Sequence, residues 1–137
     1  MIFYGKIINE WKGIIEGEAL VSKKRISFLG DVDPRTGIIH DLSSDIYGKT
    51  IASKILIFRG GRGSTVGASV IYSLKKYMNA PSAFITVETD PVIVSGAIFS
   101  DIPMLSNVKE NILEDVQSGD LIRMRIEGRK GIIEVQK

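Results

Sequence analysis

The sequence predicts an α/β domain with strands at both ends of the chain, and three features indicate it. Short segments of β-branched and aromatic residues lie near the N-terminus, and an alternating apolar and basic segment lies near the C-terminus. Between them, an apolar segment of strand length leads into a glycine-rich turn and then into a helical pattern. A chain of 137 residues with 44% hydrophobic and 25% charged residues has the composition of one globular domain, spanning 1–137.

The N-terminal third is expected to contain two strands and a long connection. Ile2–Ile8 and Gly17–Val21 read as short strands, because their β-branched and aromatic residues are bounded by turn-forming glycines. Residues 29–41 contain Pro34 and two glycines, which interrupt any regular period. We predict a long ordered loop there, and loops of that length are often functional.

The middle of the chain predicts a strand, a turn and a helix in direct succession. Ile55–Phe58 is an unbroken apolar run, which is typical of a strand buried on both faces. The glycine-rich segment Arg59–Thr65 follows it. From Val66 to Met78 apolar residues recur at helical spacing, with lysines near the end where cations suit the helix dipole.

The second half predicts one more strand, a short helix and a terminal hairpin. Ser82–Val87 has the composition of a strand, and Asp90 followed by proline is a helix start, with the helix extending to Phe99. Leu121–Ile126 alternates apolar and basic residues, and Ile132–Val135 returns after a glycine-containing turn.

Composition excludes several classes of function. The net charge of +2 comes from basic residues scattered along the chain, so nucleic acid is not an expected partner. No apolar run reaches the roughly 20 residues needed to span a bilayer, and no signal-peptide pattern is visible, so we expect a cytoplasmic protein without a membrane partner. The absence of cysteine and a single histidine, His40, exclude thiolate catalysis and argue against a Ser-His-Asp triad.

The glycine-rich turn is the strongest candidate site. Glycines at 60, 61 and 63 allow close approach of a ligand to the backbone, and a following helix directs its free N–H groups to the same place. An anion is the expected ligand. Ser64, flanked by Arg59 and Arg62, lies in the most positive field that the sequence offers. The alternative is that Ser64 is only the N-cap of the helix; the turn also lacks the lysine of a nucleotide-binding P-loop.

The order of strand, Gly60-Gly61-Arg62-Gly63-Ser64 and amphipathic helix resembles the small subunit of the aconitase-X family. The preceding Asp31-Val32-Asp33-Pro34, the Thr36-Gly37 pair and the later Gly119-Asp120 extend the resemblance over nearly the whole chain. It implies the swivelling β/β/α domain of the aconitase superfamily, with a mixed, barrel-like sheet and flanking helices.

The resemblance also implies an activity. Archaeal two-subunit members of this family are hydro-lyases that dehydrate (R)-5-phosphomevalonate to trans-anhydromevalonate 5-phosphate, a step of the archaeal mevalonate route to isoprenoids. In the superfamily the serine matched by Ser64 is the base that removes a proton beside a carboxylate. Arg62, with Gly61, Gly63 and Thr65, is then expected to bind substrate. A four-iron, four-sulfur cluster is expected on a large partner subunit, with none bound by this chain and no activity without that partner.

Several alternatives remain open at this stage. Asp31, Asp33 and Thr36 form either a lid or subunit-contact segment that assists substrate binding, or an Asx-type turn. Ordinary aconitases carry Arg-Glu shortly after the serine, whereas Thr65-Val66 follows Ser64 here, so the group that binds the substrate carboxylate is undetermined. Other aconitase-X enzymes dehydrate cis-3-hydroxyproline. A non-catalytic module that binds a phosphorylated or carboxylated metabolite and regulates a partner is the alternative of a different class.

Overall fold

The computed structural model describes residues 1–137 and contains nine strands and four helices. The strands are β1 (Ile2–Ile7), β2 (Ile15–Ser22), β3 (Val32–Asp33), β4 (Ile38–Ile39), β5 (Ile55–Phe58), β6 (Ala83–Thr86), β7 (Met104–Ser106), β8 (Leu121–Glu127) and β9 (Lys130–Gln136). The helices are α1 (Phe28–Asp31), α2 (Gly67–Lys76), α3 (Pro91–Phe99) and α4 (Ile112–Asp115).

Seven strands close into a barrel in the order β1-β7-β6-β5-β2-β8-β9, and β3 and β4 form a separate two-stranded sheet. The run β2-β5-β6-β7 is parallel, whereas the β1-β7, β1-β9, β2-β8 and β8-β9 pairs are antiparallel. Every residue of β5, β6 and β7 is buried, as expected for parallel strands covered on both faces. The mixed, barrel-like sheet with flanking helices is therefore confirmed.

The barrel strands divide the apolar residues between two cores. In β5, Ile55 and Ile57 belong to the core that all seven barrel strands share, so these side chains point into the barrel. Leu56 and Phe58 alternate to the other face and pack with residues of the helices. There Phe58 and two further phenylalanines, at 28 and 84, contact one another edge to face, with ring centroids 5.7–6.1 Å apart.

The helix layer places the glycine-rich turn. Helices α2 and α3 pack closely because Gly96 faces Ile71, where an added Cβ atom would lie 2.6 Å from the Ile71 Cδ1. The helix start predicted at Asp90 is confirmed: Asp90 Oδ2 accepts the backbone N–H of Val92 at 3.0 Å and of Ile93 at 3.1 Å. Both helices thus begin at the same edge of the sheet, beside the carboxyl ends of β5 and β6.

Residues 29–41 differ from the prediction of a long loop. They contain the end of α1 and the β3–β4 hairpin, which a turn closes. The Asp33 carbonyl accepts the N–H of Thr36 at 3.2 Å and of Gly37 at 2.7 Å, and Gly37 has a φ of +73°, which suits glycine. Pro34 therefore belongs to a tight turn. Two-residue strands have no visible period, which is why the sequence pattern did not reveal them.

Candidate functional site

The segment from Arg59 to Val66 connects the carboxyl end of β5 to α2, and a neighbouring segment supports it. The Ile26 N–H donates to the Gly60 carbonyl at 3.0 Å, and the Arg62 N–H donates to the Ile26 carbonyl at 3.2 Å. On the other side lie residues that follow β6. An added Cβ at Gly60 would lie 2.8 Å from Glu88, and one at Gly61 would lie 2.8 Å from Asp90. The crevice at the carboxyl ends of parallel strands is a common ligand site in α/β folds.

Gly63 directs the chain outward at the serine. Its φ is +89°, and an added Cβ would lie 2.9 Å from the Ser27 Oγ, so no other residue fits without displacement. Ser64 follows and is exposed. Its Oγ accepts the backbone N–H of Val66 at 3.1 Å, and its carbonyl accepts the N–H of Gly67 at 3.1 Å. The serine hydroxyl is therefore on the open side of a tight turn.

The hydrogen bond expected of an N-cap is present at Ser64, because its Oγ accepts the N–H two residues on. The regular part of α2 begins only at Gly67. The turn at Ser64 leads directly into it, since the N–H groups at 67, 68 and 69 donate to the carbonyls three residues earlier. The Val66 N–H that donates to the Ser64 Oγ would bind an alkoxide more strongly than a hydroxyl, because hydrogen bonds to ionised oxygens are stronger.

The two arginines that precede Ser64 are paired with acidic residues, so the local field is less positive than the sequence suggested. Arg62 Nη2 lies 3.1 Å from both Asp31 oxygens and 3.6 Å from Asp41 Oδ2. Hydrogen bonds from Ser43 lower the pKa of Asp41, which keeps this carboxylate charged at neutral pH. Arg59 pairs with Glu110. The backbone N–H groups before α2 are therefore the main positive groups near the serine.

The surface around the turn offers no enclosed pocket for a substrate. The cavity between the turn and the start of α3 measures about 20 Å³, room for roughly one water molecule. On the other side of Arg62 lies an open groove of about 540 Å³, lined only by polar and charged residues. Three cations in this groove form ion pairs with glutamates. Arg25 pairs with a glutamate that follows β6, and Lys23 and Arg59 pair with glutamates in α4 or just before it. Ser64 is thus open to solvent in this chain.

The predicted site residues fall into two groups. Gly61, Arg62, Gly63, Ser64 and Thr65 share one turn, and Asp31 joins them through its contact with Arg62. The other two, Asp33 and Thr36, lie in the β3–β4 turn, whose carbonyls at 34 and 35 accept hydrogen bonds from the Asn79 amide beyond the end of α2. A ten-residue helix is about 15 Å long, so this turn lies at the opposite end of α2 from Ser64.

The β3–β4 turn is an Asx-type turn, which was the structural one of the two interpretations given for Asp33 and Thr36. The Asp33 Oδ1 accepts the N–H of Arg35 at 3.0 Å, which is an Asx turn, and the Thr36 Oγ1 accepts the N–H of Ile38 at 3.2 Å. Both side chains are thereby used within the hairpin. The structure does not bring either of them to Ser64.

Sequence reasoning did not identify Ser27, Glu88 or Asp90 as neighbours of the turn. Glu88 and Asp90 follow β6 as Arg59 follows β5, so the rule that loops at the carboxyl ends of adjacent parallel strands meet would have placed them together. Ser27 gave no such signal. It reaches Gly63 only because an isolated parallel bridge joins Ile26 to Gly61.

The ion pair between Arg25 and Glu88 gives a prediction on pH dependence. Glu88 accepts from Arg25 Nε at 2.8 Å and Nη2 at 2.6 Å, and this hydrogen bonding lowers the pKa of Glu88. Because the pKa of Glu88 is lower in the folded state than in the unfolded state, the ion pair stabilises the fold at pH values above the unfolded pKa of about 4. This stabilisation is lost as the pH falls through the folded-state pKa. We expect Glu88→Gln to lower the Tm by at most about 4 °C at pH 7, because the pair is partly exposed.

Thermal unfolding of both proteins between pH 7 and pH 2 tests this expectation. The difference in Tm should shrink as the wild-type carboxyl becomes protonated. Glu10→Gln is the matched control, since Glu10 is exposed and takes part in no ion pair. A difference that persisted unchanged in acid would mean that the charge of Glu88 is not what stabilises the fold.

No group of three or more histidine, cysteine, aspartate or glutamate side chains is arranged to hold a metal ion, and the chain has no cysteine. Iron–sulfur clusters are held mainly by cysteine thiolates, so the residues of this chain do not fit such a cluster. None of the four helices combines the length and apolar character required to cross a bilayer.

Comparisons with known proteins identify the family. Residues 2–135 match the aconitase X swivel domain model. The chain is 48% identical over 121 residues to a phosphomevalonate dehydratase small subunit of Methanothrix thermoacetophila, covering 88% of this chain and 86% of the relative. It is also 48% identical over 124 residues to the small subunit of the same name from Pyrococcus abyssi, covering 90% and 92%. Those names imply a larger partner subunit.

A solved structure agrees with the fold. The crystal structure of Thermococcus kodakaraensis aconitase X in its holo form superposes with a TM-score of 0.88 at 43% identity, covering all of this chain and 99% of that one. The family model spans residues 2–135 and the solved structure covers the whole chain, so both include the glycine-rich turn. The chain therefore belongs to the aconitase X swivel domain family.

Proposed function

We propose that this chain is the small subunit of a hydro-lyase that removes water from (R)-5-phosphomevalonate, giving trans-anhydromevalonate 5-phosphate, and that residues 1–137 act as its single swivel domain. The likeness to curated small subunits of phosphomevalonate dehydratase supports this most directly. At 42–48% identity it covers nearly the whole length of both chains. The activity of such a subunit then depends on a large subunit.

Ser64 is proposed as the base. Its Oγ takes the proton from the carbon between the carboxylate and the carbinol, and the electrons of that C–H bond form the C=C bond as the C–O bond of the carbinol breaks. The departing hydroxide becomes water by taking a proton from a group outside this chain. The Val66 N–H, 3.1 Å from the Oγ, stabilises the serine in the deprotonated form that accepts this proton. Gly61, Gly63 and Thr65 are proposed to lie along the substrate because they share the same turn.

The partner is proposed to complete the site. Ser64 lies on an open surface, and the only enclosed space beside the turn holds about one water molecule. A substrate must therefore be held between this turn and a second surface that excludes water. We place the four-iron, four-sulfur cluster implied by the aconitase relationship on the large subunit, because this chain has no cysteine and no arranged ligand group.

Two alternatives differ in substrate or class. A related aconitase-X dehydratase acting on cis-3-hydroxyproline or another hydroxy acid would use the same serine turn with a different partner. A non-catalytic module that binds an anionic metabolite would use the backbone N–H groups before α2 without a base. Carboxylates compensate the positive charges of Arg59 and Arg62, and this disfavours the non-catalytic, anion-binding module.

An anaerobic assay of water elimination tests the proposal. The chain is co-expressed with the large subunit encoded by the same organism, and each subunit is also assayed alone, with 5-phosphomevalonate and with cis-3-hydroxyproline as substrates. We expect conversion of 5-phosphomevalonate only when both subunits are present. Conversion of cis-3-hydroxyproline instead would correct the substrate, and anion binding by the isolated chain without any turnover would favour the regulatory module.

A further inference from the structure

We propose that Asp31 and Arg62 form a positioning pair that fixes the turn carrying Ser64, and that Arg62 does not serve mainly to bind the substrate anion. This inference rests on the proposed role of Ser64 as the reacting group. It assigns a task to Asp31, which the resemblance offered only as a weak candidate for substrate binding. It also changes the task of Arg62.

Asp31 faces the interior and not the open side of the turn. The residue is 6% exposed and ends the short helix α1. Its Oδ2 accepts the backbone N–H of Ser27 at 2.9 Å, and both oxygens lie 3.1 Å from Arg62 Nη2. A buried carboxylate is costly unless hydrogen bonds and an opposite charge compensate it, and these contacts do both.

Arg62 is poorly arranged to attract a free anion. A single nitrogen, Nη2, contacts Asp31, and Asp41 lies 3.6 Å from the same atom. One guanidinium beside two carboxylates leaves a local charge of −1, which opposes the approach of a carboxylate or phosphate. The arrangement is suited to holding the Arg62 side chain in place.

The pair is connected to Ser64 by short backbone links. The Arg62 N–H donates to the Ile26 carbonyl at 3.2 Å, and the next residue along that segment, Ser27, supports Gly63 from below. Asp31 binds the N–H of Ser27 and the side chain of Arg62 together. Asp31 thereby links the two sets of contacts that fix residues 61–63, one from the Ile26–Ser27 segment and one from the Arg62 side chain. These contacts in turn fix the position of the Ser64 Oγ.

Kinetics of the two-subunit enzyme distinguish positioning from binding. We expect Asp31→Asn and Arg62→Gln each to lower kcat about tenfold while KM changes by less than about twofold, because a misplaced base slows the chemical step. Arg62→Lys should retain kcat within about threefold. One ammonium nitrogen can replace the single Nη2 contact, whereas lysine cannot replace a two-pronged arginine that binds a substrate carboxylate.

Arg123→Gln is the matched control. Arg123 has the same side-chain exposure as Arg62, 51%, and pairs with Glu16 on the far side of the barrel. We expect it to leave kcat and KM unchanged. A rise in KM with kcat unchanged in Arg62→Gln, or equal losses in Arg62→Lys and Arg62→Gln, would show that Arg62 binds substrate and would overturn the inference. Unchanged kinetics in Arg62→Gln would overturn it as well.

Hydrogen exchange of the full chain supplies a readout that does not depend on turnover. The N–H of Arg62 and that of Gly67 are hydrogen-bonded to Ile26 and Ser64. In Asp31→Asn and Arg62→Gln we expect these two amides to exchange about tenfold faster, with the barrel amides unaffected. Unchanged exchange would contradict the positioning role even if the dehydratase activity itself were absent, so failure of the inference and failure of the proposed function are separable.

Discussion

Replacing Ser64 with alanine is expected to lower kcat by about a thousandfold in the two-subunit enzyme, within the range for loss of a general base. The substitution removes the Oγ proposed to take the proton and leaves the Val66 N–H without its acceptor. Ser64 is exposed, so that N–H can be satisfied by water, and we expect Tm to stay close to the wild-type value. Steady-state dehydration of 5-phosphomevalonate measures the effect.

Ser69→Ala is the appropriate comparison for this experiment. Ser69 is also an exposed serine, it lies in α2 after Ser64, and its hydroxyl makes no hydrogen bond. It should therefore retain full turnover. Turnover of Ser64→Ala within about threefold of wild type would remove the serine from the chemistry, and a large loss of Tm would show that the variant fails through folding.

The position of Ser64, the proposed base, could be predicted from the sequence because the signal is local. Ile55–Phe58, the glycine-rich turn and the apolar spacing after Val66 follow one another directly, and each element forms as predicted. The helix begins at Gly67 and not immediately after the serine, because the Gly67 N–H closes a turn on the Ser64 carbonyl first. Local pattern thus predicted both the position of the serine and its hydrogen bond to the N–H two residues on.

The electrostatics of the site could not be predicted, because they depend on residues distant in sequence. Asp31 reaches Arg62 across 31 positions, and Asp41 reaches it from beyond the β3–β4 hairpin. Asp31 and Asp33 are only two positions apart in sequence, yet Asp31 contacts Ser27 and Arg62 whereas Asp33 forms its own Asx turn. Periodicity and spacing contain no information on such pairings.

The closure of the barrel also could not be predicted from the sequence pattern. The strand β7 has three residues, yet it joins β1 to β6 and so connects the terminal strands to the parallel strands. Its residues, Met104–Ser106, are all buried. A segment this short has neither a visible alternation nor a helical period, and only its partners on both sides define it as a strand.

Gly63→Ala is expected to lower kcat about a hundredfold, the second largest effect. The residue has a φ of +89°, and the new Cβ would lie 2.9 Å from the Ser27 Oγ. Relief of this contact must move Gly63 away from Ser27 or shift the Ile26–Ser27 segment, and either movement displaces the Ser64 Oγ. A displacement of about 1 Å can reduce the rate of a positioned reaction by roughly this factor. Turnover and Tm are measured together.

The matched control is Gly13→Ala, which separates backbone strain from displacement of the serine. Gly13 has a similar φ of +78°, but an added Cβ there has no atom within 4 Å. It also precedes β2, whose eight residues span about 26 Å before the chain reaches the segment that supports the turn. Both variants should lose about 1 kcal/mol of stability through the positive φ. Only Gly63→Ala should lose turnover, and equal kinetic effects in the two variants would mean that general destabilisation, and not the position of Ser64, limits the reaction.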